Sequence, residues 1–221
     1  MTNELIELND VAKELERAHP GEIVRWAHER HGDGLVVTSS FGDAILAHVV
    51  SSAVPGIEIV LLDTQYLFAE THWYAEQLRR RFDINLRIVR PDENVVADDL
   101  WQTDTTACCR IRKVEPLERL LADRTAWVTG LRRSDSPSRR STPVVSWDIG
   151  RSVVKVNPLA TLTDDDVALY TQLFDLPANP LTDRGYPSIG CWPCTQPAGP
   201  GDDARAGRWA GSTKTECGLH L

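Results

Sequence analysis

Long apolar runs are missing from these 221 residues. No stretch approaches the roughly 18 uninterrupted apolar residues that a membrane-spanning helix requires, so a membrane protein of that kind is not expected. Met1-Thr2-Asn3-Glu4 carries neither a basic nor an apolar leader segment, so secretion is not expected either. Positive charge is also short: 24 Lys and Arg face 32 Asp and Glu, for a net charge of −8. A field of that sign repels polyanions and argues against general nucleic-acid binding. Any anionic ligand must then be held by a local cluster of cations. Internal repeats and long low-complexity tracts are absent, which excludes solenoids and arrays. Cysteine is scarce, with only five residues. An odd count, two of them adjacent, and no leader point to a reducing cytoplasm rather than to a disulfide framework.

Those five cysteines are grouped. Cys108-Cys109 and Cys191-x-x-Cys194 form two pairs, and Cys217 stands alone in Glu216-Cys217-Gly218-Leu219-His220-Leu221. Four ligands and one reactive thiol is the natural division. Four thiolates suit zinc or an iron–sulfur cluster. The C-x-x-C turn lets both sulfurs face one centre. Adjacent side chains normally point apart, so the vicinal pair can share a centre only where the backbone bends, which favours a cluster several ångströms across. Two buried free cysteines beside a redox C-x-x-C remain the plain alternative.

Strands alternate with helices along the chain. Asn9 to Ala18 has the pattern of a capped amphipathic helix, and Pro20 can open a second one that ends at Gly32. Leu35–Thr38 reads as a buried strand running into Ser39-Ser40-Phe41-Gly42-Asp43 and then an apolar helix over 44–50. A strand, a tight turn and a helix start make an anion site, because free N–H groups and the helix dipole meet there; Asp43 could instead cap the helix. Ile57–Thr64 reads as a second strand whose continuous apolar run suits a parallel sheet covered on both faces. A helix over 68–82, a strand at 86–89, a helix over 109–121 and a strand at 126–130 follow. Val144–Trp147 and Val153–Val156 can pair across Gly150, and Thr163 with Asp166 marks the start of a last helix. The alternation predicts an α/β chain with a parallel sheet, and ligands in such sheets sit beyond the carboxyl ends of the strands. Ser39–Asp43, Asp63-Thr64 and Gly130–Arg133 all fall at such ends. Arg139 and Arg140 read equally well as part of a solvated loop.

From Pro197 the composition shifts to Pro, Gly and Asp, so residues 1–196 are expected to form the body and 197–221 a flexible tail. The tail carries Arg205, Arg208, Trp209, Lys214 and Cys217. Lys113 lies four residues after Cys109, one helical turn away on the same face, and can serve an anion next to the cysteines.

Taken together, Ser39–Asp43, Leu62-Asp63-Thr64, Cys108-Cys109-x-x-Arg112-Lys113, Thr129–Arg133, Asn157-Pro158-Leu159, Gly185–Thr195 and the Glu-Cys-Gly-Leu-His ending resemble the assimilatory sulfonucleotide reductases, and within them the adenylylsulfate (APS) reductase branch. The resemblance spans residues 35–221. It implies a Rossmann-like sheet of the adenine-nucleotide alpha-hydrolase (ATP-pyrophosphatase-like) type. The related ATP-pyrophosphatase turn reads Ser-Gly-Gly-x-Asp-Ser, and Ser40-Phe41 departs from it, as suits a family that no longer hydrolyses ATP. The implied reaction takes APS and two electrons from thioredoxin to sulfite and AMP, in sulfate assimilation towards cysteine. It implies one 4Fe-4S cluster on Cys108, Cys109, Cys191 and Cys194, and Cys217 as a nucleophile that forms S-sulfocysteine with His220 and Lys113 assisting. Ser39, Ser40, Phe41, Gly42, Asp43, Leu62, Thr64, Gly130, Arg132, Arg133, Arg205 and Arg208 are the expected substrate contacts, arginine being suited to bidentate oxyanion binding. A homo-oligomer is expected. A PAPS reductase and a zinc-stapled nucleotide-binding protein are the competing readings, and the paired cysteines weigh against the first.

Overall fold

Alternate residues of the central strands are apolar on both sides, so the sheet must be covered twice. The computed structural model, which describes residues 2–199, 201–212 and 214–220, shows this arrangement. Strands β1 (Leu35–Thr38), β2 (Glu58–Leu62), β3 (Asn85–Val89), β4 (Ala126–Val128), β5 (Val145–Asp148) and β6 (Val153–Val156) form one sheet in the order β3-β2-β1-β4-β6-β5. All neighbours are parallel except the β5–β6 hairpin, which pairs Val145 with Val156 and Asp148 with Val153.

One face carries Leu35, Val37, Ile59, Leu61, Ala126, Val128, Val154 and Val156. It packs on helices α2 (Pro20–His31), α3 (Ile45–Ala53) and α4 (Ala69–Arg81). The other face carries Val36, Val60, Trp127 and Val153, packed against Leu117, Leu120 and Leu121 of α7 (Glu115–Leu121) and against Leu219 near the end of the chain. The helix after Thr163 is α8 (Asp164–Leu173), and Thr163 and Asp166 form the expected reciprocal cap. Among the described residues, no helix is long and apolar enough to cross a membrane.

Most expected elements shift by one to three residues at an end, and two depart further. The first helix, α1, runs Thr2–Glu14 and continues as a 3-10 turn at Leu15–Arg17. Asn9 lies inside it rather than at its start, because the apolar face extends back to Leu8, which is buried in the same core as Val11 and Leu15. The helix expected over 109–121 is three pieces. A four-residue turn, α5 (Leu100–Thr103), precedes α6 (Thr105–Cys109); a π-helical turn then occupies Arg110–Val114, and α7 follows. Asp104 fixes the start of α6 by accepting the Thr106 and Ala107 N–H groups at 3.0 and 2.9 Å.

The chain winds outward from β1 in both directions, to β2 and β3 on one side and to β4 on the other. The carboxyl ends of β1 and β4 therefore flank a topological switch point, where open α/β sheets leave a crevice.

Candidate active site

Cys108 and Cys109 end α6 just where the backbone widens into the π turn. That turn is the bend a vicinal pair needs in order to face one place, and such π insertions recur at functional sites. Opposite them, the Cys191–Cys194 turn is tied to the loop after β2. Leu67 bridges Cys191, the Trp192 N–H donates to Tyr66 O at 2.8 Å, and the Thr64 hydroxyl lies 3.2 Å from Cys191 Sγ. All four cysteines line one small cavity together with Thr64, Tyr66, Trp101, Arg112, Lys113 and Pro193. All of them are free thiols in this structure. Among the described residues, no three His, Cys, Asp or Glu side chains close on a single ion position. Arg112, 2% exposed, anchors the wall by donating to Gln65 Oε1 and to Val96 O, the latter at 2.6 Å, with its guanidinium 4.6 Å above the Tyr66 ring.

Burial pushes the thiols of Cys108 and Cys194 up, and that of Cys109 to about 11, although Lys113 opposes it there. Lys113 responds in the opposite sense. Burial alone would lower it, but the sulfurs of Cys191, Cys217 and Cys109 raise it and keep it charged.

The strand-end turn is held by its own side chains. Ser39 Oγ accepts the Phe41 N–H at 3.1 Å, and Asp43 Oδ1 accepts the Ile45 N–H, the first of α3, at 2.9 Å, with Ala44 at the N-cap position between them. Phe41 adopts φ 51°, left-handed backbone, where the related turn has glycine. Its ring is fully buried, and Asn179 Nδ2 holds its carbonyl at 3.1 Å. Ser40, Asp43 and Gly130 are exposed beyond the carboxyl ends of β1 and β4, with Leu62 and the buried Thr64 at the end of β2. A Cβ on Gly130 would lie 3.3 Å from Leu46, so the floor fits closely there.

The end of the chain lies on this region. Thr195 pairs with Arg208, Gln196 N–H donates to Gly207 O at 2.8 Å, and Trp209 is buried with its N–H on Cys194 O at 2.9 Å. Arg208 donates to Ser188 and Ile189 and stacks on Trp209 at 4.8 Å. Cys217 is half-buried. Burial would raise its thiol, but Lys113, the Leu219 N–H and Arg208 outweigh it and hold it below its ordinary value. The His220 ring stacks on Trp127 with centroids 5.5 Å apart. Burial and four cations (Lys155, Arg139, Arg151 and Arg205) keep that imidazole well below its usual range. Its Nδ1 has no hydrogen-bond partner among the described residues.

The arginines divide. Arg205 and Arg208 face the Cys217 region, and Arg132 sits at the crevice paired with Asp135 at 3.0 Å. Arg133 is not brought there: it turns to Glu16 after α1 and donates to Thr142 O at 2.8 Å, tying the first helix region to the loop. Arg139, equally readable as a solvated loop residue, is instead 14% exposed and paired with Glu216. Lys155 is a further cation that the sequence reading missed. It stands on β6 beside Trp127, 5.0 Å above its ring, and burial lowers it to about 8. Its signal was the single charge in the apolar run Val153–Val156.

Residues 34–197 match the phosphoadenosine phosphosulfate reductase domain family. The chain is 46% identical to the adenosine 5′-phosphosulfate reductase of Streptomyces coelicolor, over 99% of this chain and 96% of that protein. It is 43% identical to that of Mycolicibacterium smegmatis with the same coverage, and 38% identical to that of Halalkalibacterium halodurans over 97% of each. Among solved structures, a phosphoadenylyl-sulfate reductase from Candida auris, in a phosphate complex, superposes with a TM-score of 0.73 at 26% identity, covering 86% of this chain and 96% of that one. The FMN adenylyltransferase of Candida glabrata shares the fold at TM-score 0.60 and 14% identity, over 84% of this chain and 64% of that one.

Proposed function

Because the chain belongs to the phosphoadenosine phosphosulfate reductase domain family, and within it to the adenosine 5′-phosphosulfate reductases, we propose that Cys217 is the nucleophile of its reaction and that a protein dithiol of the thioredoxin type completes it. The chain reduces adenylylsulfate in sulfate assimilation. One observation carries the assignment of Cys217: it is the cysteine that stands apart from the four lining the cavity, and its neighbour Gly218 packs on Val114, next to Lys113; the charges of Lys113 and Arg208 favour its thiolate.

The step balances simply. Cys217 Sγ attacks the sulfate sulfur, a new S–S bond forms, and the S–O bond to the phosphate breaks. AMP leaves with that electron pair, and Cys217 carries the sulfonate. A thiolate of the reductant then attacks Cys217 Sγ, sulfite departs, and the second thiol of the reductant resolves the mixed disulfide. Lys113, Arg208, Arg205 and Arg132 would hold the phosphate and sulfate oxygens, and Ser39–Asp43 with Gly130 would hold the nucleotide over the strand ends. His220, neutral on Trp127, offers a ring nitrogen that has no partner among the described residues.

Cys108, Cys109, Cys191 and Cys194 would hold a 4Fe-4S cluster. Support comes from the donor set, four thiols lining one cavity. When bound, the cluster would cross-link α6 to the C-x-x-C turn and set the field beside Lys113. The 214–220 segment is proposed to move between attack on APS and contact with the reductant, since a protein-sized partner cannot enter a closed crevice.

The test is to mix the protein with APS and no reductant. One sulfonate should appear on the peptide holding Cys217, and reduced thioredoxin should release it as sulfite. Label on another cysteine, or normal turnover by Cys217→Ser, would refute the assignment.

A further inference from the structure

The two halves of the chain's end are held differently. Residues 204–212 are fixed through main-chain hydrogen bonds to Gln196 and Cys194 and by the buried Trp209. Residues 214–220 make no main-chain to main-chain hydrogen bond to the body among the described residues. Every tie there has a side chain on at least one end: the Lys214 N–H donates to Ser212 Oγ at 3.1 Å and Arg205 Nη2 donates to Thr215 O at 3.0 Å. Lys214 donates to Thr106 at 3.0 Å, Leu219 packs on the α7 side, His220 stacks on Trp127, and Glu216 is gripped by charge.

Glu216 is the single carboxylate side chain of that segment and the immediate neighbour of Cys217. Arg139 Nε donates to its Oε1 and Arg139 Nη2 to its Oε2, both at 2.8 Å, a fork-on-carboxylate pair. Ser138 Oγ adds a contact at 3.2 Å and Arg205 one at 3.4 Å. The receiving end is itself braced: Arg139 Nη1 reaches Asp135 at 3.0 Å, and Asp135 also takes Arg132 at 3.0 Å and the Arg132 N–H at 3.1 Å. Glu216 is 9% exposed. Burial would raise its pKa, but Arg139 overcomes this and keeps it ionised.

We propose that the Arg139–Glu216 pair is a latch, with Glu216 and Arg139 as positioning residues that set Cys217 for attack on the sulfonucleotide and release it afterwards. This rests on Cys217 being the nucleophile. Bidentate charge-assisted pairs fix direction as well as distance, so clamping the residue next to Cys217 fixes its Sγ. The pair is made only of side chains, so it opens without breaking any main-chain ladder. Three guanidiniums (Arg132, Arg139 and Arg205) meet two carboxylates (Asp135 and Glu216), leaving one positive charge over. A bound oxyanion and the Glu216 carboxylate thus draw on the same cations, which links ligand state to latch state.

The test uses Glu216→Gln and Arg139→Lys in the iron-loaded protein. Lysine keeps the charge and loses the fork. Two rates are measured: alkylation of Cys217 by iodoacetamide without substrate, and sulfonate formation followed by its reduction in single turnovers. Both variants should alkylate about tenfold faster and form the adduct about tenfold or more slowly. Reduction of the preformed adduct by thioredoxin should stay at the parent rate, a split that general loosening of the fold does not produce. Unchanged alkylation in both variants, or formation and reduction falling together, overturns the latch. Absence of sulfonate on Cys217 in the parent protein refutes the nucleophile instead, and the alkylation comparison still decides whether the pair holds the segment.

Discussion

Lys113 is the residue on which both halves of the site converge. It lines the cysteine cavity and is the largest favourable charge on the Cys217 thiolate. Its spacing from Cys109 was legible in the sequence, although the intervening turn is π rather than α. Replacing it with alanine removes one charge-assisted contact to the anion and to the thiolate. That loss is worth roughly 1.5–3 kcal/mol, so kcat/KM for APS should fall about tenfold to a hundredfold. Unchanged kinetics would return Lys113 to an ordinary half-buried lysine. Arg133 and Arg139 show the limit of reading single residues. Both lie in one polar loop. Neither spacing nor composition reveals that the first ties to Glu16 and the second to Glu216, because those partners lie 117 and 77 positions away.

At the scale of elements, the strands and helices followed from periodicity because the sheet is buried on both faces and its strands are bounded by turn residues. The cysteine helix did not, because a π turn has no compositional mark. The chain's end divides in a way composition does not mark. Pro197–Asp203 suit a linker, and beyond them Gly207 permits close approach. A Cβ on Gly207 would lie 1.9 Å from the Gln196 carbonyl oxygen, a backbone atom that cannot step aside. Gly207→Ala should therefore undock residues 204–212, with an overpacking cost of about 1–3 kcal/mol. Trypsin should cut after Arg205 and Arg208 faster than in the parent, and Trp209 emission should shift toward that of exposed tryptophan. A parent-like digestion pattern would mean that the strand pairing tolerates the methyl group.

The whole molecule sets a net charge of −8 against a site that must take an anion. The answer is local: Lys113 and Arg208 act on Cys217, and Lys155, Arg139, Arg151 and Arg205 act on His220. The carboxyl ends of the strands were legible from three polar termini, whereas the pairing of cations across the tail was not. The cysteine cavity draws on chain segments more than 80 residues apart, α6 and the 191–194 turn, so its occupant should act as a staple. Anaerobically prepared protein should be brown, with iron and sulfide in equal amounts. Serine at Cys108, Cys109, Cys191 or Cys194 should lose iron, lower the melting temperature and abolish most activity. Stoichiometric zinc in active, colourless protein would sink the cluster.

The anchored stretch ends in a Gly211-Ser212 turn whose backbone is left-handed at Gly211. From Ser212 to Cys217 is a leash of five links, which fully drawn out spans about 17 Å. In the movement proposed above, such a leash lets the sulfur meet a reductant at the rim and keeps it from wandering off. Confined to a sphere of that radius, the thiol is present at its own crevice at an effective concentration of roughly tens of millimolar. Return after each exchange is then an intramolecular search over a short arc, which does not slow as the protein is diluted. Inserting glycines after Ser212 would lengthen the arc and dilute the sulfur at its target without touching a single contact of the site.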